Sequence, residues 1–240
     1  MIFPRTIIRL ALLFTLSVPA APSAVAGGPQ RSATHAPLTL QQILKRMDEA
    51  SKDFETLSAN LEYAKVTVVV NDTSTDYGQV FFRKHDHQLL VEFQRPEPKY
   101  LLFSGNKVEI YYPKIRQLQE YNLEKHRGLV DQFLLLGFGT SGEALAKQYL
   151  LTVLGESQLD SRSVVQLELT PKSDKVRGQI SRIHVWLALD SWVPVQQKFF
   201  ETSGDYLIAR YSNVKVNLPL PGSRFKIPVP KGVKKIKPQI

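Results

Sequence analysis

The residues able to do chemistry are few and scattered. The histidines are His35, His85, His87, His126 and His184. His85-Asp86-His87 is the sharpest grouping, because residues two apart on a strand face one side and could chelate a metal together. No third ligand stands near it, and the trio falls at a predicted turn, so a polar hairpin tip is the favoured reading. His184 lies mid-strand beside Trp186 and reads as a packed or surface imidazole. Cysteine is absent, which removes disulfides, thiolate zinc sites, a cysteine nucleophile and lipid attachment to an N-terminal cysteine. No Gly-x-Ser-x-Gly elbow occurs. The Asp48-Glu49 carboxylates fall on the polar face of a predicted helix. Gly137 to Gly142 is glycine-rich but lacks the lysine and the spacing of a phosphate loop. Phe81-Phe82-Arg83-Lys84 and Phe199-Phe200 mix aromatic with basic residues, as single-strand nucleic-acid binders do, yet the export signal described next removes nucleic acid as a partner. These residues point away from an enzyme, and no cofactor is expected.

The chain has 240 residues, 43% of them hydrophobic, and a formal charge of +9. That length supports one large core. The balance stays basic without Arg5 and Arg9, which belong to a secretory signal over residues 1–26. Leu10 to Val18 is its apolar middle and Ala24-Val25-Ala26 its small-x-small cleavage site. Pro19, Pro22 and the shortness of the apolar run argue against a membrane anchor, since a span needs about 20 apolar residues. Residues 27–38 read as a disordered leader rich in Gly, Pro, Ser and Thr. A single domain is expected over 39–240, exported to a bacterial periplasm.

The elements that must position any site follow. Thr39 and Gln42 form a capping box. Leu40, Ile43, Leu44, Met47, Ala50, Phe54 and Leu57 recur at helical spacing, which predicts an amphipathic helix of about five turns. Ser58 to Val70 reads as a long strand and Asn71 to Asp76 as a polar turn. Gly78 to Tyr121 then reads as an antiparallel meander of five short strands. Leu89, Val91 and Phe93 point one way and Leu90 the other; Leu101 and Phe103 oppose Tyr100 and Leu102. A sheet apolar on both sides must be covered on both sides or line a cavity. Leu129, Phe133, Leu134 and Leu136 share a helical face, and Ser141 opens a second short helix. Five further strands run from Tyr149 to Val216, for eleven in all. The tail from Phe225 to Gly232 is Pro-rich and extended, which bars it from a central strand. The predicted fold is mainly β: a half-open antiparallel barrel of about eleven strands with an N-terminal helix and a central helical lid. A concave apolar sheet under amphipathic helices suits a carrier of an apolar ligand. A closed barrel filled by its own side chains fits the composition equally well.

Leu-x-x-Ile-Leu-x-x-Met-x-x-Ala from Leu40 to Ala50, Leu57 to Leu61, Gly78 to Phe82, Pro96, Phe103 to Pro113 and the close at Phe225 to Val233 together resemble the LolA-like family of periplasmic outer-membrane lipoprotein carriers. The resemblance implies a half-open barrel of eleven strands with a helical lid and no catalysis. It implies acylated lipoproteins or lipids as cargo, taken from an inner-membrane ABC transporter and handed to an outer-membrane receptor. It also implies a lid-holding arginine, whose place is taken here at Lys84-His85. Lysine keeps the charge but not the planar fork, and Arg83 lies on the opposite strand face, so Lys84 and Arg83 are the lid-anchoring candidates. The expected acyl-chain lining is Leu89, Val91, Phe93, Leu101, Phe103, Ile110 and Trp186, and the expected lid residues are Leu129, Phe133, Leu134 and Leu136. A register error of one residue would invert every strand choice. A monomer is expected. The rival reading is a lipid carrier of related fold, or a module that senses envelope stress through a protein partner.

Overall fold

Thr39 starts the first helix as the spacing predicts. Its hydroxyl accepts the Gln42 amide at 3.3 Å, and the Gln42 side chain accepts the Thr39 amide at 2.9 Å, so two otherwise orphaned donors are satisfied reciprocally. The computed structural model describes residues 36–122 and 136–238. The signal segment 1–26, the leader up to residue 35, His35, His126, Leu129, Phe133 and Leu134 lie outside the described residues. Helix α1 (Leu40–Lys52) buries Ile43 and Met47, one turn apart. It is shorter than the predicted five turns. Asp53 ends it, and Asn217 fixes the exit: its side-chain oxygen accepts the Glu55 amide at 2.8 Å and its side-chain nitrogen donates to the Asp53 carbonyl at 2.6 Å. Phe54 and Leu57 keep an apolar spacing but leave the helix, since Leu57 gains a full strand ladder on both sides instead.

The strands are β1 (Thr56–Thr67), β2 (Asp72–Arg83), β3 (Gln88–Arg95), β4 (Lys99–Ser104), β5 (Lys107–Tyr112), β6 (Gln117–Asn122), β7 (Tyr149–Leu159), β8 (Arg162–Pro171), β9 (Ile180–Ala188), β10 (Pro194–Glu201), β11 (Tyr206–Val216) and β12 (Lys234–Ile236). Helix α2 (Gly142–Gln148) precedes β7 and α3 (Asp174–Arg177) precedes β9. Ser141 caps α2 as predicted, accepting the Ala144 amide at 3.1 Å. The strands form one sheet in the order β12-β6-β5-β4-β3-β2-β1-β11-β10-β9-β8-β7. The two end strands do not pair with each other among the described residues, so the barrel is open. Every contact is antiparallel except β12 on β6, a short edge strand beyond the eleven that the sequence suggests.

The β1–β2 joint differs from expectation. Thr56 pairs with Arg83 and the ladder runs without a bulge to Thr67 against Asp72. That register places the turn at Val68 to Asn71, with Asn71 in the left-handed region at φ 50. The three valines predicted as strand therefore project from the tip, with Val69 88% exposed. The polar run Asp72 to Asp76, read as a turn, is strand instead.

Apolar residues on both faces of β3 and β4 are covered differently. Leu90 and Leu102 face outward and bury against Phe225 of the extended tail. On the inner face, α1 and α2 cover one half of the sheet. Ile43, Met47 and Leu145 pack there with Leu167, Ile183 and Leu187 from β8 and β9. The other half of that face, from β1 to β4, forms a second core with Phe54 and Phe138. A hollow remains between its side chains.

Candidate functional site: an apolar hollow on the inner face

The cross-strand registers build the hollow row by row. Leu57, Phe82, Leu89 and Phe103 stand opposite one another across β1 to β4. Ala59, Val80, Val91 and Leu101 form the next row, and Leu61, Gly78, Phe93 and Lys99 the third. On the other side of β1, Leu61 faces Tyr211 and Tyr63 faces Ala209. Directly opposed residues project to the same face, so the alternation of each strand delivers its apolar set inward. The sheet curves enough for residues of β4 and of β9 to line one space of ≈ 510 Å³.

Gly78 makes the third row possible. The β2–β3 register slips between Tyr77 and Gly78, and a Cβ at Gly78 would lie 2.0 Å from the Glu92 carbonyl oxygen. Only a residue without a side chain lets the β3 backbone approach so closely at this bulge.

Nineteen of the described residues line the hollow, and Lys99 alone among these carries a formal charge. Its ammonium sits 4.6 Å from the Phe93 ring centroid and 3.1 Å from an Asp76 carboxylate oxygen. Deep in the lining, Gln197 is 1% exposed. It donates from Nε2 to the Leu136 carbonyl and accepts the Tyr211 hydroxyl at 2.9 Å. Burial, and after it the neighbouring Tyr63, raises the Tyr211 pKa well above its ordinary value. Burial likewise raises that of Tyr63, with smaller contributions from Glu201 and Asp76. Both phenols are neutral at physiological pH. Among the described residues the arrangement holds no paired acid and base; they offer apolar surface, a few neutral polar groups and one cation.

Leu89, Val91, Phe93, Leu101 and Phe103 all stand around this space. Ile110 does not: it faces the same side opposite Leu101, but one strand beyond the lining. Trp186 is on the wrong face. Ile183, Val185 and Leu187 take the inner side of β9, and Trp186 packs outside against Val164, Ala188 and Val195. Leu136 is buried in the helix-covered core rather than the hollow, whereas Phe138, two residues on, lines the hollow edge-on to Tyr211 with ring centroids 4.9 Å apart. The lid-anchoring candidates have other partners. Lys84 donates from Nζ to the Ser51 carbonyl near the end of α1 at 2.9 Å. Arg83 holds Asp86 and donates to the Leu220 carbonyl at 2.8 Å. Among the described residues, neither is bonded to the segment from Leu136 to Ser141. His85 and His87 are exposed in the β2–β3 turn, with His87 at φ 50, so they do not share a strand face.

Leu61, Tyr63, Val80, Phe82, Phe199 and Tyr211 also line the hollow, and the sequence patterns do not single them out. Phe82 has a signal. Counting back across the turn from Leu89 lands on it as the opposed residue.

The chain is thus an open antiparallel barrel whose inner face is half covered by helices and half hollow. No family model matches the chain. An uncharacterized protein of Methanocaldococcus jannaschii is 21% identical over 197 residues, which are 82% of this chain and 53% of that protein. The chain thus spans about half the length of the curated relative it matches. Among solved structures, an uncharacterized conserved protein from Thermus thermophilus is similar at TM-score 0.54 and 14% identity, covering 82% of this chain and 98% of that one. MucB is similar at TM-score 0.50 and 14% identity, covering 78% of this chain and 62% of that one.

Proposed function

We propose that the protein is an exported carrier that shelters acyl chains in the hollow of its open barrel. The observation that carries this reading is the lining: an apolar space of ≈ 510 Å³ with, among the described residues, a single charged one at its margin. Each methylene moved from water into such a space gains about 0.8 kcal/mol, so an acyl chain supplies the binding energy without any special chemistry. Phe138 is the side chain that an entering chain would displace. It sits on a segment between two left-handed glycines, Gly137 and Gly139. In the finer form of the proposal, the cargo is the acyl moiety of lipoproteins, collected from an inner-membrane ABC transporter and delivered to an outer-membrane receptor.

The test is native mass spectrometry of the protein purified from the periplasm of its own host. A bound lipid or acylated protein is the expected result. Protein emerging free of both, from cells rich in lipoprotein, would overturn the carrier reading. Co-purification of one unacylated protein at fixed stoichiometry would select instead a module that docks a protein partner.

A further inference from the structure

Lys99 lines a second space. Asp76, Pro98, Glu97, Tyr112 and Lys114 join it around a hollow of ≈ 320 Å³. The two spaces share Lys99 and differ in character. The first is apolar. The second carries four charged side chains arranged as two ion pairs, Lys99 with Asp76 and Lys114 with Glu97. Lys99 and Asp76 are only 27% and 29% exposed at their side chains, so this pair is partly withdrawn from water.

We propose that the second hollow holds the head group of an amphiphile whose acyl chain occupies the first, and that the head is a zwitterionic phosphate–amine. This deepens the carrier reading and rests on it. The argument is charge complementarity. Two cations and two anions line the space, for a net charge of zero. A phosphate placed by Lys99 and Lys114, with an amine by Asp76 and Glu97, adds one charge of each sign, so each added charge meets its opposite and the space stays neutral. A singly anionic head adds a charge with no counterpart and leaves the space net negative, and an uncharged head offers neither lysine an anion. An uncompensated charge beside the partly withdrawn Lys99–Asp76 pair is costly, so the site discriminates by what a head group would leave unmatched. The position of Lys99 fits the boundary between head and chain. Its ammonium lies 4.6 Å from the Phe93 ring centroid at the edge of the apolar hollow and 3.1 Å from an Asp76 carboxylate oxygen in the charged one.

The experiment compares three single-chain amphiphiles with the same acyl group: lysophosphatidylethanolamine, lysophosphatidylglycerol and monoacylglycerol. Binding to the lipid-stripped full-length protein is read by native mass spectrometry and by displacement of a naphthylamine dye. The expected order puts lysophosphatidylethanolamine first, by at least about tenfold over either other ligand, where tenfold corresponds to about 1.4 kcal/mol. Glu97→Gln, at a side chain 58% exposed, gives the pocket a net positive charge. It should shift the ethanolamine-to-glycerol ratio about tenfold towards lysophosphatidylglycerol, which a merely structural role for Glu97 would not do. Equal binding of all three by the wild type, or an unchanged ratio in Glu97→Gln, would overturn the head-group assignment and leave the acyl-chain hollow standing. Failure of all three to bind would overturn both.

Discussion

Gln197 reaches from β10 to the segment that leads into Phe138: its Nε2 donates to the Leu136 carbonyl oxygen at 2.5 Å. The Tyr211 hydroxyl on β11 completes the bridge by donating to Gln197 Oε1 at 2.9 Å. One buried amide thus ties two strands of the sheet to the loop that inserts Phe138 into the hollow. Its polar atoms are tolerated in an apolar setting because each has a partner.

Gln197→Leu should therefore cost about 2 kcal/mol of stability, because it leaves the Leu136 carbonyl and the Tyr211 hydroxyl buried without partners. Urea denaturation followed by circular dichroism measures this. A loss under about 0.5 kcal/mol would show that the bridge is not what holds the loop.

The burial of Tyr211 sets a pH dependence. Burial raises the folded-state pKa of Tyr211 above its ordinary value of about 10. The unfolded chain therefore loses this proton first as pH rises. The stability contribution is complete below about pH 10 and declines above it, towards the raised folded value. Stability measured from about pH 8 to 12 should fall, and Tyr211→Phe should flatten that fall while lowering stability at about pH 8. Parallel curves for the two proteins would exclude Tyr211 as the source.

Gly78→Ala should be among the most damaging single-atom additions. The new Cβ would meet the Glu92 backbone at 2.0 Å, and backbone cannot rotate aside as a flexible side chain does. Overpacking of this kind costs about 1–3 kcal/mol, and the rigid neighbour places Gly78 at the upper end. A Tm within about 2 °C of the wild type would contradict the close approach of β2 and β3.

Much of this architecture was legible in residue patterns. The capping box at Thr39 and Gln42, the cap at Ser141 and the two-sided apolarity of β3 and β4 each follow from local rules and recur in the structure. The meander supplied the five apolar residues from Leu89 to Phe103 that stand in the hollow, because strict alternation fixes a face once one member is placed. Other features were illegible for physical reasons. In Ile183-His184-Val185-Trp186-Leu187 both alternating sets are apolar enough to face inward, and only packing against α1 and α2 decides that Trp186 faces out. Val68-Val69-Val70 has strong strand propensity, yet the paired register of β1 and β2 puts it in the turn. Lys84 and Arg83 were read against a lid, whereas the structure gives them a helix end and the tail. The contribution of Gln197 had no sequence signal at all, since it depends on three segments meeting.

Arg83 supports a prediction about that tail. It donates to the Leu220 carbonyl, lies 4.7 Å from the Phe225 ring centroid and grips Asp86. The hydrogen bond from Arg83 holds the Asp86 carboxyl below its ordinary pKa. That contribution is complete above the unfolded carboxylate value of about 4 and is lost as pH falls through the depressed folded value. Arg83→Ala should thus free the segment after Val216 for proteolysis at neutral pH, detected as early cleavage by mass spectrometry. The wild type should show the same exposure only in acid. Identical digestion patterns at neutral pH would mean that Phe225 packing alone holds the tail.

The carrier reading is tested most directly by filling the hollow from within. Val91 sits at its centre on β3, between Val80 and Leu101. Val91→Trp projects an indole into the hollow that the described residues leave, so the fold should lose no more than about 1 kcal/mol. Affinity for an apolar naphthylamine dye should nevertheless fall at least about tenfold, a difference of about 1.4 kcal/mol, because the indole takes the volume that an acyl chain would occupy. Val91→Ala is the counterpart: it enlarges the space, costs about 1–3 kcal/mol of stability and should retain dye binding. If both variants bind as the wild type does, the dye sits elsewhere and the hollow is not the site. If both lose binding together with their cooperative unfolding, the effect is on the fold. The two substitutions separate these outcomes because they move stability and free volume in different proportions at one position.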